Sequence, residues 1–228
     1  MICWSCEKAA GDGATCVSCG AIQPVDAKAD FFRVLGVEAR YAIDVAEVEG
    51  RFRELSRVVH PDKFATADSR ARRAALGRSV QLNEAWRTLK DPVRRAEYLL
   101  GLAGYEVGAE SGASRPGPDG KKERVPAPMT LLSEILELRE ELSDAHASGD
   151  EARVGAMAAN VRARMEAAMA GVAKGFARAG AAGAGRTAAL ESVLGELIAV
   201  RYFRRFLEEV ERVDDADDIP IGEEAGRA

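Results

Sequence analysis

Asp44-Val45-Ala46-Glu47-Val48-Glu49-Gly50-Arg51-Phe52-Arg53-Glu54-Leu55-Ser56-Arg57-Val58-Val59-His60-Pro61-Asp62 is the stretch on which the fold turns. It opens with an acceptor side chain and places an acid three residues later, the two halves of a capping box. Val45, Val48, Phe52, Leu55 and Val59 then recur at spacings of 3, 4, 3 and 4, one face of an amphipathic helix. Pro61 has no backbone N–H to donate, so the helix stops before it.

Its flanks continue the pattern. Upstream, Phe31, Phe32, Val34 and Leu35 form a short helix closed by Gly36. Downstream, a helix is expected from about Ser69 to Lys90, with Leu82, Trp86 and Leu89 on its inner stripe. Asp91-Pro92 breaks it and starts a fourth helix carrying Ala96, Tyr98, Leu99 and Leu100. Residues 107–128 hold repeated Gly/Pro breaks and read as a linker.

Beyond it the spacing predicts three more helices, roughly 130–147, 150–178 and 187–213, with a loop from Gly180 to Gly185. Val154, Met157, Val161, Met165, Ala168, Val172 and Phe176 line one; Leu190, Val193, Leu197, Val200, Leu207 and Val210 line the last. Short connections between amphipathic helices make an antiparallel bundle. The fold class is therefore all-α: four helices over 30–106, a linker over 107–128, and a three-helix domain over 129–213. An acidic tail over 214–228 is expected to be mobile.

The composition, 47% hydrophobic and 30% charged over 228 residues, suits a globular chain. No apolar run approaches the roughly 20 residues that cross a bilayer. Polar residues and cysteines begin at Cys3 where a secretory signal would be apolar, so the expected address is cytoplasmic, with no membrane partner. Residues 31–105 carry 14 Lys/Arg against 10 Asp/Glu, whereas residues 129–228 carry 12 against 19. The middle is too mixed for nucleic acid and better suits an acidic protein partner.

All four cysteines lie in the first 19 residues, as Cys3-Trp4-Ser5-Cys6 and Cys16-Val17-Ser18-Cys19. Two such C-x2-C knuckles offer four thiolates to a tetrahedral ion, and one structural Zn2+ is the expected occupant. Iron in the same geometry and a redox dithiol are the alternatives. The module, residues 1–26, is too short for a core of its own, so metal must supply its folding energy.

His60 beside Asp62 invites a catalytic reading. A general base needs a pocket and a nucleophile or metal partner; the only other histidine is His146, and no phosphate loop or hydrolase motif occurs. No catalytic residue is assigned, and the protein is not expected to be an enzyme.

The surroundings of His60-Pro61-Asp62-Lys63-Phe64 say more. With Phe31-Phe32-Arg33-Val34-Leu35-Gly36-Val37, Asn83-Glu84-Ala85-Trp86-Arg87-Thr88-Leu89, Asp91-Pro92 and Arg95-Ala96-Glu97-Tyr98-Leu99-Leu100, it resembles the J-domain family. Phe64 and the Arg95–Leu100 ending are similar to its HscB-type members, co-chaperones of iron–sulfur cluster assembly. The resemblance implies that His60, Pro61 and Asp62 dock on an HscA/DnaK-type heat-shock chaperone and stimulate its ATPase, with Arg53, Arg57 and Lys63 as basic surface.

In the second half, Leu131, Ile135, Leu138 and Leu142 make the core stripe of the first helix, which leaves Leu132 and Leu136 on its flank beside Glu137 and Glu140. Leu132 to Leu142 resembles the scaffold-binding helix of the same family. That implies contacts to an IscU-type iron–sulfur scaffold protein from Leu132, Leu136, Glu137, Glu140 and Tyr202. Ser133 stands where the family has a larger apolar residue and Tyr202 where it often has Phe. The cysteine module resembles the extension of the animal members, which many bacterial members lack. A general J-protein passing unfolded clients, and a metal-transfer protein acting through the cysteines, are the competing readings. The sequence leaves open whether the chain forms a homodimer.

Overall fold

In the computed structural model, the Asp44 side chain accepts the N–H groups of Ala46 and Glu47 and opens α2, Val45–Val59, the N-cap half of the expected box, while the Glu47 carboxylate takes Arg51. Ahead of it lies α1, Phe31–Leu35, capped by Asp30 and closed by Gly36 in the left-handed region at φ 68°. One 3₁₀ turn, Pro61–Phe64, follows α2. Asp68 then caps α3, Ser69–Lys90, and α4 runs Pro92–Leu102. The structure describes residues 1–108, 112–117, 119–181, 183 and 185–217, with side chains as far as Arg212. The chain divides into two units, Met1–Leu99 and the remainder from Leu100.

The core of the first unit joins α1, α2 and α3 through buried Phe32, Leu35, Val48, Val59, Leu82, Ala85 and Leu89. Of the α2 stripe, Val48 and Val59 are buried and Phe52 and Leu55 half-buried; Val45, in the first turn, is exposed. Aromatic stacks complete the packing: Phe31 on Tyr98 at 4.4 Å and Phe52 on Trp86 at 5.5 Å between centroids. Buried Arg95 donates to the Leu89 carbonyl and lies over the Tyr41 ring. Ile22, from the cysteine module, is 1% exposed and part of this same core.

In the second unit, α5 (Met129–Ala147), α6 (Glu151–Ala181) and α7 (Arg186–Asp217) form the expected three-helix bundle. Leu131, Ile135 and Leu142 of α5 are buried, as are Val154, Met157, Val161 and Val172 of α6 and the α7 stripe. Phe203 and Phe206 of α7 are buried as well. Gly171 and Gly175 let α6 and α7 approach closely: a Cβ on Gly175 would stand 2.4 Å from Val193 Cγ2.

One segment departs from expectation. Starting one residue before the stretch read as a linker and running through it are three short antiparallel strands, β1 (Glu106–Val107), β2 (Ala113–Pro116) and β3 (Lys122–Val125), in the order β1-β2-β3. Ala113 pairs with Val125, and Arg115 with Glu123. The sheet lies on α7, where Arg115 meets Glu191 at 2.9 Å and Arg201 donates to the Gly108 carbonyl. The strands are two to four residues long, too short for a period-2 pattern to register. At the C-terminus α7 continues to Asp217, so the first residues of the expected tail are helical; residues 218–228 of that tail lie outside the described residues. Among the described residues no helix is long and apolar enough to cross a membrane.

Candidate functional site

The two cysteine knuckles repeat one another at an offset of 13 residues. Cys3 N–H donates to the Lys8 carbonyl and Cys16 N–H to the Ala21 carbonyl, both at 2.8 Å. Ser5 N–H points at Cys3 Sγ and Ser18 N–H at Cys16 Sγ, both at 3.4 Å. Glu7 and Gly20 close the turns on the Cys3 and Cys16 carbonyls, each with left-handed backbone at φ 58° and 73°. Bridges Ile2–Ala9 and Thr15–Ile22 flank the turns.

These turns bring together all four sequence-predicted ligands. Their sulfurs lie within 4.8 Å of one another, Cys3 to Cys19 at 3.7 Å and Cys6 to Cys16 at 3.8 Å. A tetrahedral ion with metal–sulfur bonds of about 2.3 Å needs sulfurs about 3.8 Å apart. None of the four is in a disulfide. Burial pushes the Cys3 thiol up, but the backbone N–H groups of Cys6 and Ser5 and the neighbouring thiols outweigh it, and its pKa falls to about 6. At Cys6 the Lys8 backbone N–H pulls down, while desolvation and the other sulfurs carry the pKa up to about 11. A cation among the four sulfurs would relieve that crowding, so the donor set fits a metal ion.

Trp4, between two ligands, faces inward: its indole N–H donates to the Ile22 carbonyl at 2.6 Å and its ring packs on the core of the first unit. The Arg70 guanidinium of α3 lies 4.9 Å over that ring. Gln23, which sequence reasoning passed over, donates its side-chain N–H to Cys3 Sγ at 3.3 Å. Only the cysteine spacing is visible in sequence; the packing that recruits Trp4 and Gln23 is tertiary.

The α2–α3 turn is solvent-facing. His60 ends α2 in a non-helical conformation, Pro61 opens the 3₁₀ turn, and His60 Nδ1 accepts the Asp62 N–H at 3.4 Å. Asp62 Oδ2 lies 3.5 Å from the same nitrogen, and its side chain is 89% exposed. Arg53, Arg57 and Lys63 are exposed, Arg53 in an i,i+4 pair with Glu49.

On α5, Leu132 is half-buried, Leu136 is 60% exposed, and Glu137 and Glu140 are exposed beside it. Met129, one turn earlier, is exposed and extends this ridge; the i, i+3, i+7 spacing to Leu132 and Leu136 is the signal that reveals it. Tyr202 does not lie on this helix. It is half-buried on α7, against a cavity of about 40 Å³ shared with Val107 and Ala127. Arg139 of α5 holds Glu209 of α7 at 3.0 Å, and Arg164 of α6 pairs with Glu134.

The two units match known families in the same order. A DnaJ domain model matches residues 30–98, and a model described as the HSCB C-terminal oligomerisation domain matches residues 127–211. The crystal structure of human co-chaperone protein HscB is 25% identical, with a TM-score of 0.73 over 94% of this chain and 98% of its own. Chaperone HscB from Vibrio cholerae is 30% identical, with a TM-score of 0.63 over 82% of this chain and 99% of its own. With a J-domain, an HscB C-terminal domain and a tetracysteine module in one chain, the protein belongs to the HscB family of J-domain co-chaperones.

Proposed function

We propose that this co-chaperone stimulates the ATPase of an HscA/DnaK-type heat-shock chaperone and delivers to it an IscU-type scaffold on which iron–sulfur clusters are built. The observation that carries the first half is the exposed His60-Pro61-Asp62 turn on a J-domain. His60 and Asp62 offer a paired donor and acceptor, Pro61 fixes the backbone between them, and Arg53, Arg57 and Lys63 supply positive charge for an acidic partner face. The protein is not itself an enzyme in this reading: the chemistry stays in the chaperone's nucleotide site.

The scaffold docks on the α5 ridge, where Leu132 and Leu136 provide apolar contact and Glu137 and Glu140 a charged edge, with Tyr202 on α7 as a further contact. An exposed leucine ridge rimmed by acids is what a protein-binding surface looks like. Zn2+ is the ion held by Cys3, Cys6, Cys16 and Cys19, since four thiolates at tetrahedral spacing suit a closed structural site. It contributes folding energy to a module without a core. The address is cytoplasmic, and neither nucleic acid nor membrane is a partner. Self-association as a homodimer is a matter for the C-terminal domain, whose matched model is described as an oligomerisation domain.

Steady-state ATP hydrolysis by the chaperone, with this protein and with scaffold present or absent, tests the proposal. Stimulation should depend on His60 and rise further with scaffold. A His60→Gln variant should lose about tenfold or more, the scale of a hot-spot contact. A Leu132→Ala/Leu136→Ala variant should lose only the scaffold-dependent increment. Stimulation indifferent to scaffold would leave a general J-protein, and stimulation indifferent to His60 would sink the docking assignment.

A further inference from the structure

Gln23 stands where the cysteine module meets the first unit's core. It is 1% exposed, and its side-chain amide donates to Cys3 Sγ at 3.3 Å and to the Ala21 carbonyl at 2.8 Å. Both partners are acceptors, which fixes the amide's orientation. Turned around, Oε1 would face a thiolate and a carbonyl. As it stands, Oε1 is buried with no hydrogen-bond partner. A buried acceptor left unmatched is costly, so the site keeps this amide for its donor.

The main chain of the same residue reaches in two other directions. Its N–H donates to the Ala14 carbonyl at 2.8 Å, beside the second knuckle. Its carbonyl accepts from Arg78 Nε of α3 at 3.1 Å. A parallel anchor joins Gln81 of α3 to the Asp26 carbonyl at 3.4 Å without touching a sulfur. Next to Gln23 in sequence, Ile22 is buried in the core that α3 lines.

We propose that Gln23 is the positioning residue that couples the tetracysteine centre to α3, so that retention of the metal and the order of α3 rise and fall together. The inference rests on the reading of the four cysteines as a zinc site. A divalent ion with four thiolates leaves two negative charges in a buried place, which an N–H donor at the Cys3 sulfur stabilises. Because Gln23 holds Arg78 through its carbonyl, any shift that frees the Cys3 thiolate also loosens the anchor of α3.

The test uses the full chain loaded with zinc, and in parallel with cobalt(II). Release of zinc to a chromophoric chelator, the thiolate-to-cobalt charge-transfer band, and hydrogen exchange over residues 69–90 are measured for wild type, Gln23→Leu, Gln23→Glu and the control Gln81→Leu. Gln23→Glu should release zinc about tenfold faster or more, the usual effect of losing a partner to a ligand. Gln23→Leu should move in the same direction by less. Both should shift the cobalt band, Gln81→Leu should not, and α3 should lose protection as the metal leaves. If Gln23→Glu does not load, Gln23→Leu decides. A wild-type band and release rate in the Gln23 variants overturns the proposal, as does α3 exchange indifferent to metal. A wild-type chain that loads no metal removes the zinc reading and this inference together.

Discussion

Glu7 and Gly20 do the same job in the two knuckles, yet only one is a glycine. Both take left-handed backbone, a region that costs a residue with a Cβ roughly 1–2 kcal/mol. Gly forfeits part of that gain through the entropy of the unfolded chain, by about 0.5–1 kcal/mol. Glu7→Gly should therefore stabilise the first unit slightly, by about 0.5–1 kcal/mol, read as a rise in its thermal midpoint with the metal bound. A fall would mean that the Glu7 side chain makes a contact worth more than the strain. At this scale the sequence was generous with ligands and poor with supports. Cys3, Cys6, Cys16 and Cys19 declare themselves by spacing. Trp4 and Gln23 act through Arg70, Arg78 and Ile22, which lie 55 or more residues away or in the core, and nothing local marks them.

Among the elements, the long helices were legible because their stripes repeat for several turns and three of the starts carry an aspartate cap. Asp44, Asp68 and Asp150 all accept from the first turn they precede. The sheet over 106–125 was not legible: Gly and Pro there read as breaks, and the pairing of Arg115 with Glu123 and Glu191 is tertiary. Gly175 is a second case, a poor helix former kept in the middle of α6 because α7 comes so near. Gly175→Ala should gain up to about 1 kcal/mol of helix propensity. Against that it drives a methyl into Val193, a cost of about 1–3 kcal/mol for overpacking. The net outcome should be a loss of stability by denaturant unfolding, restored in part by Val193→Ala in the same chain. A Gly175→Ala variant as stable as wild type would show that the helices can part without cost.

Over the whole molecule, each unit has its own core, and the core of the first includes the cysteine module through Ile22 and Trp4. A ligand that binds the folded state alone stabilises it by roughly 4 kcal/mol at a thousand times its dissociation constant. For a unit of about 100 residues that is a shift of roughly 15 °C or more. Calorimetry with and without a strong chelator should therefore show the transition of the first unit falling by at least about 10 °C. The transition of the second unit should stay in place, and movement of both together would show that the two melt as one. The charge division follows the same boundary: residues 129–228 carry 12 Lys/Arg against 19 Asp/Glu, while residues 31–105 carry 14 against 10. Salt should thus weaken the chaperone and scaffold contacts to different degrees.

The close approach of α6 to α7 at Gly175 also bears on descent. The space between that position and Val193 holds one side chain of valine size and no more. Lineages that share this bundle are then free to trade the volume from one helix to the other but not to add to it. Across them, a larger residue at the first position should arrive with a smaller one at the second, a paired drift that neither helix would show when read alone.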